Sequence, residues 1–549
     1  MAKPKLALIP AAQGDKFYSV LPSDGVGDFD FTRNSSATRI APTGFIQEVG
    51  AFGSELVTNG NFDNDSDWTK GSGWTINGGN ASCDGVGYGS YLSQTSASTL
   101  VLGRTYKVTF DLDYISGTIL SLLGSSNPST NTSGNITTGG SKEFYITIST
   151  LSDQLIYFRS NNFVGSIDNV SVQEVVGNKS RLNYDLLNGK VVNCPHYLLE
   201  PARTNLITYS EDFSQWTVDR VTVSENQIIS PNGTLNADSI AENSENNIHR
   251  IYIGSITLTD NVDYTITVFA KKGNSKVIQL TPTSTSAIGS GRANFDLDNG
   301  VLGAVSGGTA EIKDYGNGWY RCSYSFEALA TATSAISVNL VNDDLNAARN
   351  VTYLGNTNNN VYLWGAQFEQ GSYPTSYIPT TGTAITRAAE SATGSGDAAT
   401  FNDSEGVLMA EIAALANDLT FRLIALKGTS DDIRFGYRTT SNAIYVDAPN
   451  AFLVATLNDI KTFNKVAIKY GATGTKFFIN GFELGVDADD SSFSGIDTLD
   501  FDVTGSSNFF GKTRELQYFD SVLTDAQLET LTSWTSLQEM ITSQLYTNY

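Results

Sequence analysis

A chain of 549 residues is longer than one hydrophobic core normally organises, so several domains are expected. Charged residues make up only 17%, while 50 Gly, 25 Tyr and 28 Phe sit among abundant Ser, Thr and Asn, a mix that suits short strands and turns and predicts an all-β fold. The net charge of −23, with no cluster of basic residues between aromatics, excludes a nucleic-acid groove and disfavours anionic membranes, and three dispersed cysteines exclude a disulfide framework.

The N-terminal stretch from Met1 to Pro10 has two lysines, but its apolar run is short and broken by proline, so no Sec-type signal is expected. No apolar run approaches the roughly 18 residues of a membrane span. Residues 1–54, with Phe29-Asp30-Phe31-Thr32-Arg33 and a turn-rich Ala41-Pro42-Thr43-Gly44, hold too little apolar material to close a core and are expected to pack on a neighbour.

From residue 55 the texture changes. Asn59-Gly60-Asn61-Phe62-Asp63 leads to Trp68 and Trp74, Thr105 to Leu112 alternates with period two as a half-buried strand does, and Ser166 to Glu174 closes the unit. The same order then recurs: Tyr209-Ser210-Glu211-Asp212-Phe213 leads to Trp216, Val262 to Ala270 answers the Thr105 strand, and Val361 to Glu369 closes the second copy. Two related β-domains, 55–176 and 205–388, are therefore predicted. The second is longer, with added strand pairs at Ala293 to Leu297 and Gly318 to Tyr324. Between them, residues 177–204 read as a packed, Pro-containing connector.

A third domain, 389–535, is marked by strands at Val407 to Ala413, Phe421 to Leu426, Ile433 to Tyr437, Ala443 to Val446 and Lys465 to Tyr470. Asn480-Gly481 between apolar runs is a hairpin signal. Thr524-Asp525-Ala526-Gln527 is a capping box opening a helix, with Leu528, Leu531, Trp534, Leu537, Ile541 and Leu545 at helical spacing and its far end at 536–549.

The strings Phe31 to Thr38, Leu198-Leu199-Glu200-Pro201-Ala202-Arg203-Thr204-Asn205-Leu206, Tyr209 to Phe213 and Ser376-Tyr377-Ile378-Pro379-Thr380 resemble those of tailed-phage head-spike and tail-fibre structural proteins. Both repeats resemble carbohydrate-binding-module jelly rolls, and the region from Phe477 to the terminal helix resembles laminin-G and concanavalin-like lectin domains. The resemblance implies tandem β-sandwich jelly rolls with one C-terminal helix. It also implies a virion component that attaches to other virion proteins through residues 1–54 and adheres to host-surface glycans. Two alternatives stand beside it: a capsid decoration protein without a glycan ligand, and the binding subunit of a polysaccharide-active enzyme.

In such jelly rolls a structural Ca²⁺ commonly ties the opening strand to the closing one, and Asp63 and Asp168 occupy the matching positions of the first copy; in the second copy Asp212 matches, but Leu363 or Trp364 stands where the other Asp should be. Hard oxygen ligands from two strand ends suit Ca²⁺ rather than Zn²⁺. Trp68 and Trp74 are candidates to stack on sugar rings, with core packing as the alternative. Two histidines in the chain, His196 and His249, leave little room for His-based catalysis and read as surface or packing residues, so no enzymatic activity is expected. Fibres and spikes of this kind are generally homo-oligomers, and a trimer is expected; the long C-terminal apolar stripe either packs across its own sheet or, in its later half, is the seam between subunits.

Overall fold

A computed structural model describes residues 3–534, apart from 12, 13, 15, 51, 87, 88, 176–178, 193, 430, 431, 449, 450, 489–492 and 504–506. The predicted all-β class is what the chain adopts, with three β-sandwiches and one helix of eight residues at Asp525–Thr532.

In the first sandwich the strands Thr105–Leu123 and Leu155–Val175 pair antiparallel along most of their length, and each is long enough to contribute to both layers. The register breaks between Thr109 and Asp111, Tyr114 and Ser116, and Ser116 and Thr118. Such bulges bend a pair of strands out of one plane. Gly117 sits in this bend at φ 84°, where an added Cβ would collide with the Asn162 carbonyl, so only glycine lets the two backbones approach. Phe62, Trp68, Trp74, Tyr106, Phe158 and Phe163 fill the core.

The second sandwich has two separate six-stranded sheets. Its closing strand, Asn360–Gln370, lies between Leu235–Glu242 and Asp263–Lys272, as the closing strand of the first repeat lies beside Thr105–Leu123. The repeat extends to side-chain detail. Trp68 donates its indole N–H to the Asn59 carbonyl at 3.1 Å, and Trp216 donates to the Tyr209 carbonyl at 2.9 Å.

The third sandwich faces a nine-stranded sheet against a five-stranded one. The predicted hairpin joins Thr475–Ile479 to Phe482–Asp487, with Asn480 and Gly481 at φ 50° and 89°, the paired left-handed conformations that a two-residue turn between twisted strands requires. The helix Asp525–Thr532 opens with the expected capping box at Thr524 and Gln527 and packs Leu528 onto Val407, Met409, Phe478 and Phe519 of the nine-stranded sheet. It stops at Ser533, whose φ −78° and ψ 160° are extended, so Trp534 lies beyond the helix rather than on its stripe. Leu537, Ile541, Leu545 and the expected helix end at 536–549 lie outside the described residues.

Residues 1–54 and 177–204 pack on the third sandwich. Neither is a separate unit. The strand Gly511–Phe519 takes Leu6–Leu8 along one stretch of its edge, pairing Ala7 with Gln517, and His196–Leu199 along the next, pairing Leu198 with Lys512. Phe17, Phe29, Phe31, Tyr197 and Leu199 complete the third sandwich's core, with the Phe17 and Tyr197 rings stacked at 3.9 Å and 7°. The N-terminal segment also touches the other two sandwiches: the Ile46 N–H donates to the Pro231 carbonyl at 2.9 Å, and the Tyr145 hydroxyl donates to the Ser36 Oγ at 2.9 Å.

At this junction lies a buried ionic network. Arg33 meets Glu390 at 2.8 Å, Arg181 is paired with both Glu390 and Glu200, and Arg387 meets Glu200 at 2.8 Å. Glu369 of the closing strand accepts from the Thr375 N–H at 2.9 Å and its hydroxyl at 2.6 Å and meets the half-buried Arg203 at 3.8 Å, while Arg387 donates to the same Thr375 hydroxyl at 3.4 Å, which adds a third carboxylate to the cluster. The six charged side chains other than Arg203 are buried. Burial alone would push the Glu200 carboxyl up, but Arg387, Arg181 and the Ser376 hydrogen bonds outweigh it and hold it below the usual carboxylate range. Burial brings Arg33 down to about 10 against the pull of Glu390. These charges come from the N-terminal segment, the connector 177–204, the second domain and the start of the third, so the network ties together parts far apart in sequence.

Truncating one member leaves the others charged and unpaired in the interior, which typically costs about 3–5 kcal/mol. Glu390→Ala is therefore expected to lower the unfolding free energy of the full chain by about that amount. Asp298→Ala, which breaks the exposed pair with Lys272, should leave the denaturation midpoint nearly unchanged. Denaturant melts of the two variants check this, and equal, small losses would show that the network does not hold the junction.

Candidate functional site

The packing of these elements leaves a cleft of about 1310 Å³ between the second and third sandwiches. One wall is the outer face of the strands Thr309–Asp314 and Trp319–Glu327, where pairing in register sets Thr309, Glu311 and Lys313 against Ser325, Ser323 and Arg321. The opposite wall is formed by loops of the third sandwich carrying Asn417, Asn458 and Asp459, by Phe482 and Leu484 after the Asn480-Gly481 turn, and by Trp534. Residues Ser372 to Tyr377, which follow the closing strand of the second sandwich, close the remaining side with Asp185 and Glu200. Glu200 and Ser376 also belong to the ionic network, so the same contacts that lock the junction shape the cleft.

Phe482 is 69% exposed and Leu484 45%, whereas Trp534 is half-buried with the Lys465 ammonium 4.7 Å from its ring centroid. An exposed aromatic ring, amides and a few charges around a wide cleft suit a polar ligand with apolar faces. Three of the cleft's carboxylates are committed to cations, whereas Glu311 is exposed on the strand wall. Asp185 accepts from Lys512 at 2.5 Å, Glu200 is held by two arginines, and Asp418 meets Arg422 at 3.2 Å. Burial pushes the Asp185 carboxyl up, but Lys512 and the neighbouring cations reverse this and hold it well below the usual range.

The predicted site residues fall elsewhere. Trp68 and Trp74 are 6% and 4% exposed and pack in the first sandwich's core against Phe62 and Phe163, so neither offers a face to a sugar. The candidate-ligand reading is replaced by core packing, because each indole lies in the first sandwich's hydrophobic cluster, and the Trp68 N–H is also taken by the Asn59 carbonyl. Asp63 is exposed and accepts from the Asn61 amide, while Asp168 accepts from the Asn169 N–H at 2.7 Å. The opening and closing segments do meet, since the Val170 N–H donates to the Gly60 carbonyl at 2.9 Å and the Leu56 N–H to the Val172 carbonyl at 2.8 Å. Among the described residues no three His, Cys, Asp or Glu side chains gather as a metal-binding group.

Both histidines are fully buried, which removes the surface reading and leaves packing. His249 bonds the Arg220 carbonyl at 2.8 Å and packs on Tyr353. His196 contacts the Asn183 amide at 3.0 Å and Asp185 at 3.6 Å, and burial holds it well below its ordinary pKa, hence neutral. The sequence signal that would have pointed to the cleft was the apolar Phe482 directly after a turn, where a polar residue is the rule.

No family model matches the sequence, and no curated protein matches it. Solved structures that align include the CBM40 of the Ruminococcus gnavus IT-sialidase bound to α2,3-sialyllactose, at 16% identity and a TM-score of 0.22 over 25% of this chain and 92% of that one. The CBM22-1–CBM22-2 tandem of Paenibacillus barcinonensis Xyn10C aligns at 10% identity and a TM-score of 0.21 over 59% and 98%. Trypanosoma rangeli sialidase in complex with sialic acid aligns at 10% identity and a TM-score of 0.23 over 94% and 99%. At these scores the likenesses carry no argument about this chain's ligand or activity.

Proposed function

We propose that this protein is a non-catalytic, glycan-binding structural protein of a phage virion, a head spike or tail fibre. The observation that carries the glycan part is the cleft, which sets exposed Phe482 and half-buried Trp534 opposite a polar strand face and is framed by the buried network. The virion part is supported by the motif strings, whose Arg33, Glu200 and Tyr377 belong to the junction or its lining. The structural use of both histidines supports the non-catalytic part.

Attachment to other virion proteins falls, in this reading, on the exposed outer side of residues 1–54, where Ser19–Leu21 is an edge strand with Val20 46% exposed. Such an edge offers unpaired backbone groups to a partner. A glycan array and a host-cell adsorption assay on the full chain test the adhesive role, and Phe482→Ala is expected to abolish the array signal. A silent array for the unmodified protein would favour a decoration protein without a ligand.

Two further parts of the proposal have their own tests. A Ca²⁺ at Asp63 and Asp168 would draw its remaining oxygens from backbone carbonyls and polar side chains at the junction of the opening and closing segments. EDTA should then lower the melting temperature of the full chain, and Asp63→Ala should remove that sensitivity; a melting curve indifferent to both defeats the metal.

Self-association into a trimer would use the outermost strand Ala451–Thr456, which exposes Phe452 and Val454 away from the cleft lining. Static light scattering should report three copies for the full chain and one for Phe452→Asp. A monomeric parent chain would end the oligomer reading.

A further inference from the structure

We propose that the cleft selects an acidic saccharide, its carboxylate held between Lys313 and Arg321. The inference rests on the glycan-binding reading and adds the chemical class of the sugar.

The two side chains are directly opposed across the strand pair, Lys313 on the edge strand Thr309–Asp314 and Arg321 on Trp319–Glu327. Like charges in such a pair repel, and a chain with 34 basic residues against 57 acidic ones has ample means to avoid the arrangement. Neither charge is neutralised by a salt bridge. Arg321 gives Nη2 to the Thr375 carbonyl at 2.7 Å and to the Thr267 hydroxyl at 3.3 Å, both uncharged, which leaves Nη1 free among the described residues. The Lys313 ammonium makes no hydrogen bond or ion pair to any described residue; Asp185, whose carboxylate it helps to stabilise, is already engaged by Lys512 at 2.5 Å and approached by Arg514 at 3.7 Å, and Glu311, two positions along the same strand face, is exposed. His196 beside it is neutral. On the cleft face of this strand pair Lys313 and Arg321 stand against the single carboxylate of Glu311, an excess of one positive charge inside a protein of net charge −23.

Thr267 and Thr375 fix the guanidinium, and its stacking 5.5 Å from the Phe269 ring centroid restricts it further. A planar guanidinium held this way, with an ammonium opposite, matches a carboxylate. The remainder of the cleft suits the rest of such a ligand. Its volume of about 1310 Å³ exceeds the roughly 300–1,000 Å³ of single small-ligand pockets, so it fits several linked sugar units, and Phe482 offers a ring to the apolar face of one of them.

The full-length chain is titrated calorimetrically with oligomers of galacturonate, alginate and hyaluronan, with methyl-esterified oligogalacturonate and neutral galacto- and gluco-oligosaccharides alongside. At least one uronic-acid oligomer should bind, and its neutral or esterified counterpart should bind at least about tenfold more weakly, the loss expected for one charge-assisted hydrogen bond. Lys313→Gln, with an unchanged melting curve as its control, should lose the same factor for the acidic ligand only, while Phe482→Ala weakens both classes. Affinity for the acid should also fall with added salt. Neutral and acidic oligomers binding equally, or an acid affinity unmoved by Lys313→Gln, would overturn the acidic class and leave glycan binding standing. No binding by any saccharide would overturn both.

Discussion

Three guanidiniums and three carboxylates removed from water are the constraint on which the rest of this architecture depends. Such a cluster is tolerable only when every charge is met, because an isolated buried ion costs far more than a surface one. Arg33, Arg181, Glu200, Arg387 and Glu390 meet one another, with Glu369 joined to them through Thr375, only if the N-terminal segment, the connector 177–204, the second domain and the start of the third arrive together. An apolar patch would tolerate sliding, since hydrophobic contact has no direction. Paired, hydrogen-bonded charges do not, so the network fixes one arrangement of the sandwiches and with it the width of the cleft.

The third sandwich shows the same dependence in its backbone. Its strand Gly511–Phe519 would present an open edge, the usual site of unwanted pairing, had the chain not brought Leu6–Leu8 and His196–Leu199 to cover it. Both covering strands are too short to stand alone. They are stable because Phe17, Phe31, Tyr197 and Leu199 are buried in the core beneath them.

Strands and turns were legible because they leave a local trace. Period-two alternation placed Ile433–Tyr437 within its observed bounds, Asn480-Gly481 marked its hairpin, and Thr524 with Gln527 marked the helix start. The repeat was legible too, down to Trp68 and Trp216 at equivalent points. What could not be read was direction across a surface. Nothing local distinguishes a Trp that faces the core from one that faces solvent, so Trp68 and Trp74 looked as available as Phe482. The ionic network escaped for a related reason: each of its residues sits in a polar, turn-rich string where a charge is ordinary, and only tertiary structure reveals its partner up to 357 positions away. The segment 1–54 was correctly seen as too poor in apolar residues to fold by itself, but its host core lies at the other end of the chain.

That separation has a consequence for how the molecule forms. The first and second sandwiches close on strands within their own sequence, whereas the third needs Leu6–Leu8 to find Tyr518, Gln517 and Leu516 after nearly the whole chain exists. Long-range pairing is slow because the loop must be closed before any contact rewards it. Until then Phe17, Phe29 and Phe31 remain exposed, and so does the edge they will cover. Folding of the two repeats, which lie between the segments that must meet, would shorten the effective loop. The contacts from Ile46 to Pro231 and from Ser36 to Tyr145 then give the N-terminal segment footholds on both repeats before the last sheet closes over it.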